Sequence, residues 1–236
     1  MSTFRRFSLL AIVAAVSLTP AQVRAVTLLE LVQGQTITAD DKLFNNWAVL
    51  QQDVNNGIIN LNLITVTPIV DDPLNPGIKF TGTVDSLGTL FGHPGGAFAR
   101  LRFSFQVQTT DGRPLIKDNS LLINDFLFDA GPNATIQITE TLRDVTGAPI
   151  GDKSVIARNG DTPGTGNPAH FDVANFAPRS VVLVEKFIEV LGPGTNDGAR
   201  LLMFEQRFSQ IPEPNAAAIA AVLAVALGTT RYRERR

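Results

Sequence analysis

Cysteine is absent from this sequence, and other residues on which site chemistry commonly depends are scarce. Without cysteine the chain forms no disulfide, no thiolate metal site and no cysteine nucleophile. It has two histidines, His93 and His170, one tryptophan, Trp47, and one tyrosine, Tyr232, close to its end. Fold and targeting signals are therefore more informative here than catalytic motifs.

The central part of the chain also lacks an excess of positively charged side chains. The 236 residues include 20 basic and 22 acidic side chains. Most of the imbalance lies inside, because residues 26–210 keep 13 basic and 20 acidic side chains. An acidic domain repels phosphate backbones, so we expect no nucleic-acid partner.

The first 25 residues have the three parts of a secretory signal peptide. Arg5 and Arg6 form a positive start, residues 7–18 form an apolar run, and the sequence Val-Arg-Ala ends at Ala25 as a cleavage pattern. The run of 12 residues is far short of the roughly 20 that a membrane-spanning helix needs. We therefore expect export, with signal peptidase cutting after Ala25.

The end of the chain, residues 211–236, combines a Pro-Glu-Pro motif, an alanine-rich apolar segment and a basic terminus. Residues 216–228 predict a short hydrophobic helix, about 20 Å long against about 30 Å of bilayer hydrocarbon. The prolines keep the entrance extended, and the arginines remain on the cytoplasmic side. This arrangement predicts a transient hold in the membrane next to a protease site. The residues of this motif are Pro212, Glu213, Pro214, Arg231, Arg233, Arg235 and Arg236.

These features resemble the PEP-CTERM sorting signal of Gram-negative bacteria. The resemblance implies an exosortase-like membrane protease as partner, a passage through the inner membrane, and the cell surface or extracellular space as destination. Residues 28–47 are also similar to the start of many exported proteins with this tail, often cyanobacterial, through Gly34, Thr36–Thr38, Asp41–Phe44 and Trp47. A plain short C-terminal anchor is the alternative interpretation of the tail.

Hydrophobic residues between these ends alternate with a period of two. In residues 99–110, Leu101, Phe103, Phe105 and Val107 share one face. Similar runs occur at residues 60–68, 77–84, 134–142, 180–191 and 199–210, with Gly- and Pro-rich turns between them. One buried and one wet face is typical of antiparallel sheets. Residues 26–210 are therefore predicted to form an all-β domain of about nine strands, an antiparallel two-sheet β-sandwich of jelly-roll or immunoglobulin-like type.

Two details refine this prediction. Leu28 to Val32 are expected to form one short helical turn, and no longer helical period is present in the domain. Residues 181–191 and 201–208 carry apolar side chains on both faces for part of their length, which favours central strands.

Catalytic constellations are not apparent. Both histidines lie in turn-like sequence, no G-x-S-x-G motif is present, and we interpret His93 and His170 as surface loop residues. The acidic pairs Asp40–Asp41 and Asp71–Asp72 suggest a glycosidase couple, but adjacent residues on an extended chain point to opposite sides. Solvated loop charges explain these pairs better, so no enzyme is predicted.

Three loops contain oxygen ligands suited to calcium, at residues 71–75, 159–167 and 195–198. None follows the D-x-[DN]-x-[DN]-G pattern, and Asp, Asn and Gly also form ordinary turns. No cofactor is predicted, and structural calcium is the alternative.

The sequence thus predicts an exported, non-enzymatic protein of the cell surface or matrix, with a structural or adhesive role. The alternative is a module that binds extracellular polysaccharide, with calcium as an aid. Trp47, the single tryptophan, is expected in the core or on the surface of a sheet and not on a sugar-binding platform. A hydrolase is the third hypothesis.

Overall fold

The structure is a computed structural model that describes residues 24–83, 86–90, 96–110, 115–129 and 131–211. The signal-peptide prediction up to residue 23, the sorting motif from Pro212 onward and His93 lie outside these residues. Within the described ranges, no helix has the length and apolar character required to cross a bilayer.

Two six-stranded antiparallel sheets form the domain, which confirms the predicted β-sandwich. The first sheet contains, in spatial order, β1 (Val26–Thr27), β5 (Ile64–Ile69), β6 (Gly77–Gly82), β14 (Ala199–Arg207), β9 (Ile116–Phe128) and β12 (Phe171–Arg179). The second sheet contains β11 (Pro149–Arg158), β10 (Thr135–Arg143), β13 (Val181–Gly192), β8 (Ala97–Thr109), β3 (Lys42–Asn55) and β2 (Ile37–Ala39). A small third sheet pairs β4 (Gly57–Ile59) with β7 (Leu87–Leu90).

Helical structure in the described residues is short. The helix α1 spans Leu28–Val32, as the sequence predicted, and two 3₁₀ turns span Leu61–Leu63 and Pro168–His170. A reciprocal cap starts α1, because the Thr27 hydroxyl accepts from the Glu30 amide at 3.2 Å and the Glu30 carboxylate accepts from the Thr27 amide at 2.8 Å.

The core lies between the two sheets and is rich in aromatic side chains. Trp47, for which the sequence left the core and a sheet surface open, is buried there, with its ring stacked on Phe105 at a centroid distance of 4.4 Å. Phe80 and Phe204 from the first sheet stack at 4.4 Å. Alternation places these residues inward, because every second side chain of a strand faces the core. Offset ring pairs at such distances add to the energy of burial.

All six strand runs read from the sequence are present, and β13 and β14 are central strands, as predicted. The two large sheets nevertheless contain twelve strands where about nine were expected. Among those missed is β3, whose register shifts twice against β8, between Asn45 and Ala48 and between Val49 and Gln51. At each bulge the side chains that face the core shift by one residue along the strand. The alternation of apolar and polar residues is therefore interrupted, and the strand is not recognised from the sequence.

Candidate functional site

A groove of about 310 Å³ crosses the outer face of the first sheet. Its floor consists of outward-facing residues of β14, β9 and β12, and the loops before β6 and after β14 close one end. The lining residues are Asn75, Asp118, Ser120, Leu122, Phe171, Val173, Glu205, Arg207 and Ser209. This volume is at the lower end of the range typical of small-molecule sites.

Strand register arranges the groove residues in rows. Glu205 on β14 pairs with Leu122 on β9, which pairs with Phe171 on β12. The next row on the same face joins Arg207 and Ser120, and Ser120 pairs with Val173. Charged side chains therefore lie on the β14 side and apolar ones on the β12 side.

The side chains on the apolar side of the groove are more exposed to solvent than is usual for apolar residues. Phe171 is 50% exposed and Val173 is 38% exposed, on β12 at the edge of the sheet. Ala174, the next residue along, faces inward and is buried. The strand thus presents an aromatic ring and a branched aliphatic side chain to solvent, which leaves an apolar strip without a partner among the described residues.

The charged side is held in place by an ion pair. The Arg207 guanidinium donates two hydrogen bonds to the Asp71 carboxylate, at 2.6 and 3.0 Å. This pairing lowers the pKa of Asp71 and raises the pKa of Arg207. The Glu205 carboxylate lies 3.6 Å from the same guanidinium. A bidentate pair of this kind restricts the orientation of the guanidinium.

Gly77 makes room for this arrangement. It lies opposite Arg207 on β6, where an added Cβ would collide with the Gln206 carbonyl oxygen and the Arg207 Cα. Because Gly77 has no side chain, β6 and β14 can approach each other closely at Arg207, next to its ion pair with Asp71.

An apolar strip facing fixed hydrogen-bonding groups is suited to an amphipathic ligand. The CH face of a sugar ring packs on an aromatic side chain, while its hydroxyls donate to carboxylates and accept from a guanidinium. The groove is lined by none of the candidate site residues named from the sequence. One of them, Asp71, is nevertheless next to the groove, where it pairs with Arg207. Nothing in the sequence next to Phe171 separates an exposed ring from a buried one, so its role depends on the position of β12 at the sheet edge.

The prediction for His170 is wrong. It is not a surface loop residue, since only 3% of it is exposed. Its Nε2 lies 3.1 Å from the Asp161 carboxylate, and its ring packs edge-on against Phe126 at 5.2 Å. The 3₁₀ turn Pro168–His170 directs the side chain inward beneath β9, where it anchors the loop. His93 lies outside the described residues.

The two acidic pairs do not act as couples. Asp71 pairs with Arg207, whereas Asp72 accepts from the Leu74 amide at 2.9 Å within its own turn. Asp41 lies 2.5 Å from the ammonium group of Lys42, which is fully buried. Asp41 and Asp71 are therefore ion-pair partners and not free loop charges.

The loops considered for calcium use their carboxylates for turns. Asp161 accepts from the Arg158 amide at 2.8 Å, and Asp197 accepts from the Gly194 and Asn133 amides at 2.7 and 3.2 Å. No group of three His, Cys, Asp or Glu suited to a metal occurs in the part of the chain that the structure describes. Structural calcium stays the untested alternative to the prediction of no cofactor.

A second polar cluster lies inside the sandwich, and we call it the buried charge cluster. The carboxylate of Glu140 on β10 lies 2.5 Å from the ammonium of Lys153 on β11 and also accepts from the ammonium of Lys186 on β13. Gln206 on β14 donates to Glu140 at 2.9 Å. The two lysines hold the pKa of Glu140 below its ordinary value although burial opposes this, and burial lowers the pKa of Lys153 to about 8.

The alternation along two strands contained a signal for this cluster. Glu140 is two and four residues from Ile138 and Ile136, so it shares their inward face. Lys186 shares the inward face of Val184 and Ile188 for the same reason. Charged residues at such positions are rare unless they are paired. The partners belong to strands distant in sequence, so the pairing itself could not be read.

The fold and the groove define an antiparallel β-sandwich protein with an amphipathic groove on one outer face. No family model and no curated protein matches the sequence. Similar solved structures include a mannan-recognising carbohydrate-binding module, TmCBM27, at 10% identity and a TM-score of 0.35, covering 80% of this chain and 96% of that one. TmCBM61 in complex with β-1,4-galactotriose has 10% identity and a TM-score of 0.28, covering 70% and 89%. The CBM22-1 xylan-binding domain from Paenibacillus barcinonensis Xyn10C has 11% identity and a TM-score of 0.21, covering 70% and 97%. At these scores the likenesses do not indicate a ligand for this chain.

Proposed function

We propose that this chain is an exported, non-catalytic β-sandwich protein that binds polysaccharide in the groove of the first sheet. The observation that carries the proposal is Phe171, half-exposed at the groove, two strands away from Glu205 in the same row. A ring that is half in water forgoes about half of the energy that full burial would give. A ligand that covers the ring would recover this energy.

The charges of the groove favour an uncharged polysaccharide. Asp118 and Glu205 contribute negative charge, and the positive charge of Arg207 is already paired with Asp71. A uronate or sulfate group would meet these carboxylates, and like charges at close range repel. Neutral sugar hydroxyls instead find acceptors at Glu205 and donors at the fixed guanidinium.

Replacing Phe171 with alanine is expected to weaken binding of a neutral polysaccharide about tenfold, the loss of roughly 1.4 kcal/mol of stacking and burial. The measurement is the Kd from isothermal titration calorimetry, after affinity electrophoresis against neutral and anionic polysaccharides has identified a ligand. Repeating the titration with a chelator tests whether calcium assists.

Phe98→Ala is the matched control, because Phe98 is a partly exposed phenylalanine on β8 of the opposite sheet, beneath the Arg100 guanidinium at 4.6 Å. It is expected to leave the Kd unchanged. If neither neutral nor anionic polysaccharides are retained, the binding proposal is rejected. Equal losses in both variants would reject the groove as the site.

We further infer that both ends of the chain are processed as the sequence predicts, which would place the groove on the cell surface or in the matrix. Ala25 is exposed and directly precedes β1, so cleavage there removes no residue of either sheet. The last described residue, Ile211, is exposed and directly precedes the Pro-Glu-Pro motif. Polysaccharide binding at this location would give the protein its structural or adhesive role.

The intact mass of the protein from its native host tests this processing. We expect a mass lacking residues 1–25 and the segment after the Pro-Glu-Pro motif, in the surface or extracellular fraction. A mass that retains the C-terminal arginines, in the inner-membrane fraction, would identify the tail as a plain anchor. That result would contradict exosortase-like sorting and leave the binding proposal to its own test.

A further inference from the structure

The buried charge cluster contains more positive than negative charge. Its side chains Glu140, Lys153 and Lys186 have no solvent exposure, and two ammonium groups share one carboxylate. Removing an ion from water costs several kcal/mol, which one carboxylate offsets for one partner but not for two. One of the two lysines is therefore in an unfavourable charge state.

An asparagine lies next to one of these lysines, Lys153. The Lys153 ammonium also donates to the main-chain oxygen of Asn119 on β9, at 3.3 Å. Asn119 is fully buried, and its Nδ2 donates to the Arg207 carbonyl at 3.0 Å. Its Oδ1 is buried with no hydrogen-bond partner among the described residues. Such an unpaired buried acceptor calls for an explanation.

We propose that Lys153 and Asn119 form an intramolecular isopeptide bond, a Nζ–Cγ amide link, with Glu140 as the proton carrier. The three residues supply an amine, a carboxamide and a carboxylate in one dry interior. Lys153 Nζ already contacts Asn119 through the main-chain oxygen of that residue. The reaction requires Nζ to move from this oxygen to Cγ of the same residue.

The reaction balances without any other reagent. The Glu140 carboxylate takes a proton from the Lys153 ammonium, and the neutral amine attacks Cγ of Asn119. Glu140 returns its proton to Nδ2, and the tetrahedral intermediate then breaks its bond to Nδ2, which leaves as ammonia. The ammonia takes up the proton lost by the attacking nitrogen and departs as ammonium. No oxidation or reduction occurs.

Electrostatics favours each stage. Burial lowers the pKa of Lys153 to about 8, so the neutral amine is accessible near physiological pH, and Glu140 begins ionised as a base must. Once the amide has formed, Lys153 carries no charge. Glu140 and Lys186 remain as a one-to-one pair, so the excess buried charge is removed.

The bond would join the two sheets. Asn119 lies on β9 in the first sheet and Lys153 on β11 in the second, so the link would cross the sandwich. A cross-link stabilises by restricting the unfolded chain, and this chain has no cysteine with which to make one otherwise. The link serves the fold and is independent of ligand binding in the groove.

Tryptic mapping of the folded, then denatured, full chain tests the bond. Trypsin cuts after Lys117, Arg143 and Arg158, and it does not cut after an acylated Lys153. We expect peptide 118–143 joined to peptide 144–158, lighter than their sum by one ammonia and with two free N-termini on fragmentation. The separate peptides 118–143, 144–153 and 154–158 would overturn the proposal.

One variant tests the assignment. Lys153→Arg keeps the positive charge, lacks the attacking amine and is expected to abolish the joined peptide. A joined peptide that persists in this variant, or one that maps to Lys186 or Gln206, would overturn the assignment to Lys153 and Asn119. If Lys153→Arg fails to fold, the wild-type map alone decides, because the joined and separate peptides differ in the native protein itself.

Discussion

Replacing Glu140 with glutamine is expected to lower the free energy of unfolding by about 3–5 kcal/mol, the usual loss when one partner of a buried ion pair is removed. Both oxygens of this carboxylate accept from ammonium groups, and all of these side chains are fully buried. Glutamine keeps the size of the side chain and removes its charge. Lys186 is then buried without a carboxylate, and so is Lys153, whose acylation would lack its proton carrier in this variant.

The size of this loss is measured by urea unfolding, followed through the fluorescence of Trp47, the single tryptophan. Glu185→Gln is the matched control, since Glu185 lies on β13 next to Lys186 but faces outward and pairs with the partly exposed Arg102. The control is expected to cost less than about 1 kcal/mol. Equal losses in the two variants would mean that the position of Glu140 between the sheets is energetically unimportant.

The second large effect is expected for Trp47→Ala, which should cost about 3–5 kcal/mol of unfolding free energy. The indole stacks on Phe105 at 4.4 Å and packs on Phe103 and Phe80 at 6.3 and 6.2 Å, so its loss leaves a cavity bordered by three rings. The rings come from both sheets and cannot all move inward. The cavity is therefore expected to persist.

Unfolding of this variant is followed by far-UV circular dichroism, since its fluorescence reporter is lost. Leu50→Ala is the control on the same strand, because Leu50 is 50% exposed and should change stability by no more than about 0.5 kcal/mol. Trp47→Phe is expected to cost much less than the alanine variant. It preserves most of the packing and removes Nε1, a buried donor with no acceptor among the described residues. A Trp47→Ala variant as stable as the wild type would contradict this view of the core.

Regular strands were the most predictable part of the fold. In β8 every second residue from Ala97 to Val107 is apolar, and in β10 the inward set is apolar except for Glu140; the structure buries both sets. Irregular strands were not, as the two register shifts in β3 demonstrate. At the edge of the first sheet, β12 exposes the apolar residues Phe171 and Val173 on its outer face. Its sequence therefore lacks the usual alternation of apolar inward and polar outward residues.

The sequence by itself determined the class of fold and the short helical turn, because alternation and local propensity act within a few residues. It also predicts export and sorting signals, since these are contiguous segments. Only the tertiary structure decided that Phe171 shares a groove with Glu205 and Arg207, and that Glu140 lies between two lysines. Both sites join strands far apart in the chain, and their register depends on how the two sheets pack around the whole core.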